Sequence, residues 1–343
     1  MNIFIYKNDH DRDKIAVIDF SQSIILNTRL TEIGDFEIKI PLINEDILQY
    51  IQLGYFVRAS YDNSKWYVIR EIERNMDNEN GNYLIFRGEE IKSLLTQRLV
   101  IGQINLNGTI ENNFESLLHD VEFVDDYKFN QGIYLLARDT DTTTYDFQFD
   151  FEILYNAFKT VADRGNYYFT VDCPHDLRLI LFKAVETNNI VFSQAFNNIL
   201  SFNEKINTYD FCNRAVVVGE GSGTAKKYQL VTTSETNKNM FFFQKVDATE
   251  ISSNSGVITQ TEYNNFLKNQ GESYINANNI KKIYEMQVDT RMYSFPNDFD
   301  IGYKVKIVNP INGEILTALV TEVTEKWDDN GYICEPKFEI LNN

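Results

Sequence analysis

Through most of the first hundred residues apolar and polar positions alternate or come in short apolar runs, the signature of strands rather than helices. IFIYKN (3–8) and KIAVIDF (14–20) are split by a polar turn at Asp9 to Asp13, and FEIKIPL (36–42) alternates with period two. The segment YFVRASYDNSKWYVIREIERNMDNENGNYLIFRG (55–88) carries a turn at Asp62-Asn63 and a hairpin signal at Asn80-Gly81, since Asn-Gly supplies the positive φ that tight hairpin loops need. Helical spacing first appears in EEIKSLLTQRL, where Ile91, Leu94, Leu95 and Leu99 share one face.

From about residue 103 the pattern becomes mixed. Phe114, Leu117, Leu118 and Val121 make a short amphipathic helix; Leu154, Ala157, Phe158, Val161 and Ala162 make a second. Asp150 suits its N-cap, and Gly165 the left-handed position after its last turn. NYYFTVD and LRLILFKAV then read as strands, so residues 103–189 are expected to form an inserted α/β domain. Strand-like sequence resumes with NILSFNEKI, AVVVGEGSG and KKYQLVTT. A polar segment comes next, with Tyr263, Phe266, Leu267, Tyr274 and Ile275 at rough helical intervals. The last forty-odd residues are again β, with hairpin turns at Asn312-Gly313 and Asn330-Gly331.

Two distant stretches repeat one pattern. QLGYFVR (52–58) leads to VIREIERNMDNENGNYLI, and DIGYKVK (300–306) leads to LVTEVTEKWDDNGYI. Each opens on Gly-Tyr-x-Val (Gly54, Tyr55, Val57; Gly302, Tyr303, Val305), continues through an alternating Glu-rich strand, and ends in an acidic Asn-Gly hairpin. Such turn chemistry is common by itself. The matched openings favour one β-barrel module used twice.

Composition narrows the function classes. At 343 residues, 43% hydrophobic and 24% charged, the chain has the balance of a folded protein of two or three domains. A net charge of -18 opposes a basic nucleic-acid groove and disfavours anionic membranes. No apolar run reaches the roughly 18 residues of a membrane-spanning helix, and the charges of MNIFIYKNDHDRDK come after its apolar stretch, the reverse of an export signal; synthesis in the cytoplasm is expected. Cys173, Cys212 and Cys334 are odd in number and widely spaced, so neither a disulfide framework nor a zinc site is indicated.

Candidate chemistry is sparse. Gly219, Gly221 and Gly223 spell G-x-G-x-G after a valine-rich strand, but the third glycine of the dinucleotide fingerprint and the Lys-Ser/Thr of a phosphate loop are missing. A strand comes next instead of a helix, so the run reads as a mobile hairpin tip. His10, His119 and His175 show no metal-pair spacing, and Cys173 near His175 in CPHD is weak support for a thiol nucleophile. In RDTDTTTYDFQFD, Asp139 and Asp141 could open a calcium loop, but Thr143 and Thr144 stand where an oxygen-rich ligand and a glycine belong. Asp146, Asp150 and Glu152 could supply a glycosidase pair only if their spacing in the fold allowed it. No catalytic, cofactor or metal site is therefore assigned.

Four stretches carry a family likeness: TRLTEIGDFEIKIPL (28–42), FRGEEIKSLLTQRLV (86–100), FSQAFNNILSFNEKINTYDFCNRAVVVGEGSG (192–223) and DIGYKVKIVNPINGEILTALVTEVTEKW (300–327). In this order, along nearly the whole chain, they resemble the tail hub (baseplate hub) proteins of siphophage-type tailed bacteriophages, which include the N-terminal structural part of tail-associated lysins. The resemblance implies a mixed, β-rich α+β fold with two similar β-barrels, an inserted α/β domain and a small helical segment, assembled as a trimeric ring. On that expectation residues 1–102 and 190–235 form the first barrel, 103–189 the insertion, 236–290 a small α/β segment with a helix, and 291–343 the strands of the second barrel. It further implies a non-enzymatic virion protein at the tail tip, a symmetry adapter between a sixfold tube and a threefold tip. DNA would pass through it without specific binding, through a lumen whose acidity repels phosphate. Its partners would be a distal tail protein hexamer, a tape-measure protein, and a tip fibre or receptor-binding protein. Gly219, Gly221 and Gly223 would form a flexible loop contacting a neighbour. With the second barrel expected to run to the last residues, no separate lytic domain is expected. The competing readings are a cell-wall hydrolase using Asp146, Asp150 or His175, and a carbohydrate-binding β protein.

Overall fold

The computed structural model describes residues 1–8, 13–42, 45–62, 64–76, 81–122, 133–137, 141–173, 177–209, 211–232, 242–248, 251, 253, 259–278 and 280–341. Of the positions singled out in the sequence, residues 9–12 with His10, Asn63, Asn80, Asp139, His175 and the side chain of Val121 lie outside them.

The first unit has seven strands: β1 (Ile3–Tyr6), β2 (Lys14–Ile18), β3 (Ser23–Arg29), β4 (Asp35–Pro41), β5 (Phe56–Ala59), β6 (Trp66–Asn75) and β7 (Tyr83–Glu90). All pair antiparallel, in the order β2-β1-β5-β6-β7-β4-β3. The alternation read from the sequence becomes a buried face of Ile24, Leu26, Phe36, Ile38, Ile40, Leu84 and Phe86 and an outer face of charged side chains. The EEIKSLLTQRL segment winds as a 3-10 helix over Ile91–Gln97. Ile91 and Leu95 are buried, whereas Leu99 leaves the expected apolar face, is 43% exposed and bridges to Ile153.

The inserted region contributes β8 (Gln103–Gly108), α1 (Ile110–Glu122), β9 (Ile133–Ala137), β10 (Tyr145–Asp150), α2 (Leu154–Gly165), β11 (Tyr168–Asp172) and β12 (Leu177–Phe182). Phe114 and Phe158 stack at 4.5 Å between the helices, and the same core takes in Phe56, Trp66, Ile91 and Leu95 of the first unit. The insertion is thus cemented to that unit. Two end assignments for α2 change. Ile153 takes the N-cap position while Asp150 ends β10, and Asn166 rather than Gly165 takes the left-handed turn at φ 56°. Gly165 is needed for another reason, because a Cβ there would sit 2.6 Å from Ile110 Cγ1.

The chain continues with β13 (Val185–Phe192), β14 (Ile199–Asn207), β15 (Arg214–Val218), β16 (Tyr228–Thr232), β17 (Phe243–Asp247), α3 (Gln260–Ala277), β18 (Lys281–Val288), β19 (Tyr303–Val308), β20 (Ile315–Asp328) and β21 (Gly331–Ile340). This corrects the expected use of residues 190–235. β14 pairs with β18 in the second unit, and β15, β16 and β17 form their own sheet under α3. The alternating runs are visible in the sequence; the place of β14 depends on register with β18, some eighty residues away.

β18, β21, β20 and β19 complete the second unit around Phe192, Tyr284, Phe299, Val305 and Phe338. Among the described residues neither unit closes as a barrel: β2 bonds only β1, and β14 only β18. The two units instead share one sheet, because β20 pairs with β3.

Gly88 sits where Phe36 and β6 press against β7. An added Cβ would lie 1.9 Å from the Val68 carbonyl oxygen and 2.7 Å from Phe36 Cε1. Gly88→Ala should destabilise the protein by about 3 kcal/mol, whereas Asn82→Ala, on the hairpin, should change little. Urea midpoints of both variants check this.

Candidate functional site

The two sequence repeats become two structural repeats that agree at the level of register. Gly54 and Gly302 take φ of 82° and 83°, a region glycine enters without penalty. Gly54 N donates to Ile69 O at 2.8 Å and Gly302 N to Val320 O at 2.9 Å. Tyr55 precedes β5 and Tyr303 begins β19, while Val57 and Val305 are fully buried. Each receiving strand then bulges, β6 between Ile69 and Glu71, β20 between Val320 and Glu322. Past the bulge Glu71 faces Arg87, which faces Glu37; Glu322 faces Lys337, which faces Glu285. Strand for strand, β5, β6, β7, β4 and β3 correspond to β19, β20, β21, β18 and β14.

One polar face therefore runs unbroken across eight strands, β14-β18-β21-β20-β3-β4-β7-β6. Most of its cations are engaged by carboxylates of the same face, while Lys39 lies 4.0 Å over the Tyr83 ring. Arg87 contacts Glu37 at 2.5 Å and Glu71 and Glu73 at 2.7 Å, and those carboxylates push its guanidinium pKa upward. Lys337 meets Glu322 at 2.9 Å, Lys326 meets Glu335 at 2.5 Å, and Arg29 meets Asp35 at 2.7 Å. The alternating Glu residues are legible in the sequence. The basic partners escape such a reading, although FRGEE and EPKFEI place Arg87 and Lys337 on the outward positions of their strands.

The seam between the units hides a carboxylate. Glu325, 2% exposed on β20, accepts hydrogen bonds from Tyr61 of the first unit and from Tyr332 at 2.7 Å. Trp327 packs on both tyrosines. Lys65 crosses the same seam to Asp300 at 3.0 Å. Burial raises the Glu325 pKa to about 7, against the two hydroxyl donors, which favour the ionised form.

The glycine run forms the tip of the β15–β16 hairpin. A Cβ on Gly219 would lie 2.2 Å from Tyr263 Oη of α3, and Gly221 and Gly223 have φ of 97° and 55°. The chain then makes a short 3-10 turn, Gly223–Ala225, before entering β16, so no helix N-terminus faces the loop. Glu220 N donates to Tyr263 Oη at 2.7 Å. The Glu220 carboxylate holds Lys227 at 2.6 Å and accepts from Ser253 N at 3.0 Å; these bonds, Lys227 first, bring its pKa down to about 2. Part of the tip is accordingly pinned to its own helix.

The remaining candidates do not converge on a reaction centre. Asp146, Asp150 and Glu152 border a cleft of about 630 Å³ between β8/β10 and α3, where Asn107 bonds Asp146 and Asn156 bonds Glu152 at 2.9 Å. Asp141 is occupied by Thr143, whose N and Oγ1 lie at 3.0 and 2.9 Å and lower its pKa. His119 borders a shallow recess with Glu115, and Cys173, Cys212 and Cys334 are buried free thiols. Among the described residues no group of three or more His, Cys, Asp or Glu side chains could hold a metal ion, and no helix is long and apolar enough to cross a membrane.

This geometry has relatives among known proteins. The family described as Siphovirus ReqiPepy6 Gp37-like protein matches residues 2–338. The fold is similar to that of the 43 kDa tail protein of prophage MuSo2 from Shewanella oneidensis, at 13% identity and TM-score 0.64 over 98% of both chains. It is similar to prophage tail protein gp18 from Listeria monocytogenes EGD-e, at 12% identity and TM-score 0.59, covering 100% of this chain and 95% of that one. A tail protein from Neisseria meningitidis MC58 is comparable, at 12% identity and TM-score 0.59 over 98% and 96%. No curated protein matches by sequence.

The raised Glu325 pKa has a stability consequence. With a folded value of about 7 against an ordinary 4.5, the native state binds the proton more tightly. Stability should therefore fall as pH rises from about 4.5 to 7 and be flat beyond, a cost on the order of 3 kcal/mol. Glu325→Gln should remove that slope and be the more stable form at pH 8, as thermal melts across this range would register.

Proposed function

Because the chain belongs to the Siphovirus ReqiPepy6 Gp37-like family, we propose that it is a structural hub of a phage tail tip: three copies form a ring whose six modules match a sixfold tube above and a threefold tip below. The observation that carries this reading is the register-level duplication, since two equivalent modules per chain are what a threefold assembly needs to meet a sixfold neighbour. The shared fold of prophage tail proteins supports the same class of role.

In this assembly the eight-strand polar face lines the lumen. Most of its cations are matched to carboxylates, Lys39 is held on the Tyr83 ring, and the whole chain carries -18, so passing DNA meets no continuous basic track on which counterion release could drive binding. A wall of charges neutralised in place thus takes over the role expected of a simply acidic one. A distal tail protein hexamer above, a tape-measure protein, and a tip fibre or receptor-binding protein are the partners this position implies. The hairpin tip with Gly219, Gly221 and Gly223 is assigned to contact with a neighbour. The protein acts by shape, without turnover.

Light scattering on the purified chain should give three times 40.0 kDa, and averaged electron micrographs of that peak should show a threefold ring with a central hole. A species that stays monomeric even with the distal tail protein added would overturn the proposal. A ring that retains duplex DNA at about 150 mM salt, where non-specific binding to a basic track would still be measurable, would overturn the lumen assignment.

A further inference from the structure

The seam inside the chain specifies how one chain should meet the next. β20 pairs with β19 along residues 315–319 and, past its bulge, with β3 along 322–327. Its counterpart β6 pairs with β5 only through Trp66–Val68, and past the equivalent bulge Glu71–Asn75 have no strand on the side away from β7 among the described residues. The counterpart of β3 is β14, whose outer edge is likewise unpaired among the described residues. The molecule thus ends in the two halves of a joint that it has already built once internally.

We infer that β14 of one copy pairs antiparallel with β6 of the next in the register of the β3–β20 seam, which sets Lys205 opposite Glu73 and Glu204 opposite Arg74. The inference rests on the ring reading and makes its contacts specific. Internally Leu26, Asn27 and Thr28 lie opposite Glu325, Thr324 and Val323. Glu37–Arg87–Glu71 corresponds to Glu285–Lys337–Glu322, and β3 and β14 align through the residues opposite Glu37 and Glu285, which are Ile25 and Asn203. Leu26, Asn27 and Thr28 therefore correspond to Glu204, Lys205 and Ile206, while Glu325, Thr324 and Val323 correspond to Arg74, Glu73 and Ile72.

The register obtained from backbone equivalence alone then matches side chains of complementary kind. On the polar face Lys205 meets Glu73 and Asn203 meets Asn75. On the other face Glu204 meets Arg74, Ile206 meets Ile72, and Phe202 meets Met76. Ile206 and Met76 are 56% and 86% exposed in the single chain, and the joint covers both. A one-residue slip would turn each strand's faces over and lose every one of these matches. The contact is head-to-tail, so it propagates until the rotation closes a ring.

The test mixes two single variants, Glu73→Cys and Lys205→Cys, under mild oxidation, so that only an intermolecular bond can form between the introduced thiols; the native cysteines are buried. A covalent dimer is expected from the mixture and not from either variant alone. The mismatched mixture Glu71→Cys with Asn203→Cys, about four residues or ~13 Å out of register, should give less than about a tenth of that product, since thiols so far apart cannot bridge. A ring that forms without the matched link, or that links the mismatched pair better, overturns the register and leaves the ring reading standing. A chain that remains monomeric by light scattering even with the distal tail protein added overturns the ring reading, and this joint with it.

Discussion

An antiparallel strand has two edges, and the architecture depends on how β20 divides one of its own. Fourteen residues long, it spans about 48 Å. β21 occupies one edge; on the other, β19 serves the first five residues and β3 the last six of those paired. The bulge between Val320 and Glu322 is what allows the exchange, because an extra residue bends a strand and raises its twist. Without it β3 would have to follow the line of β19, and the two units could not share a sheet. The glycine before β19 belongs to the same device: Gly302, at φ 83°, turns the chain so that its N–H caps the Val320 carbonyl just ahead of the bulge.

The outer face holds that register by charge more than by strength. Exposed ion pairs such as Arg87–Glu73 each contribute roughly 0–1 kcal/mol. Slipping one strand would set Glu beside Glu and expose Phe36, Ile38 and Phe86, so the pairs and the apolar face exclude the same alternatives. At the seam the balance is different. Glu325 is nearly out of water, and two tyrosine hydroxyls replace its hydration. Removing either hydroxyl would leave a buried acceptor short of a partner, which costs more than the bond contributes net.

What the sequence made legible was local. Period-two runs such as FEIKIPL became strands, and the Gly-Tyr-x-Val openings marked a duplication that extends to hydrogen-bond register. The helix expected at Ile91 to Leu99 wound as a 3-10 turn over Ile91–Gln97, with Ile91 and Leu95 its apolar residues buried against the insertion. The polar face was half visible, since Glu residues recur along the repeated strands while their cations arrive from strands brought near by folding. Strand partnership was not legible at all. NILSFNEKI could add to either unit by pattern, and its place beside Lys281–Val288 is fixed by contacts across some eighty residues. Site residues divide the same way: the glycine conformations at 221 and 223 suit the turn their spacing suggested, whereas the pinning of Gly219 under Tyr263 needs a helix some forty residues later.

The two versions of the joint, one inside the chain and one proposed between copies, differ in a way their settings explain. Inside one chain the β3–β20 contact forms at the moment of folding, so it can rely on a buried carboxylate, two tyrosines and a tryptophan that would be poorly suited to open solvent. The edges at β6 and β14 must first exist on a free chain. There Glu325 is replaced by Arg74, Leu26 by Glu204 and Thr324 by Glu73, giving charged edges that resist indiscriminate strand addition. On each face the two edges carry opposite signs, so an edge laid against its own copy brings like charges together while the head-to-tail contact brings unlike ones. On that proposal a duplicated module acquires direction: one joint made permanent, the other kept soluble until the correct neighbour meets it.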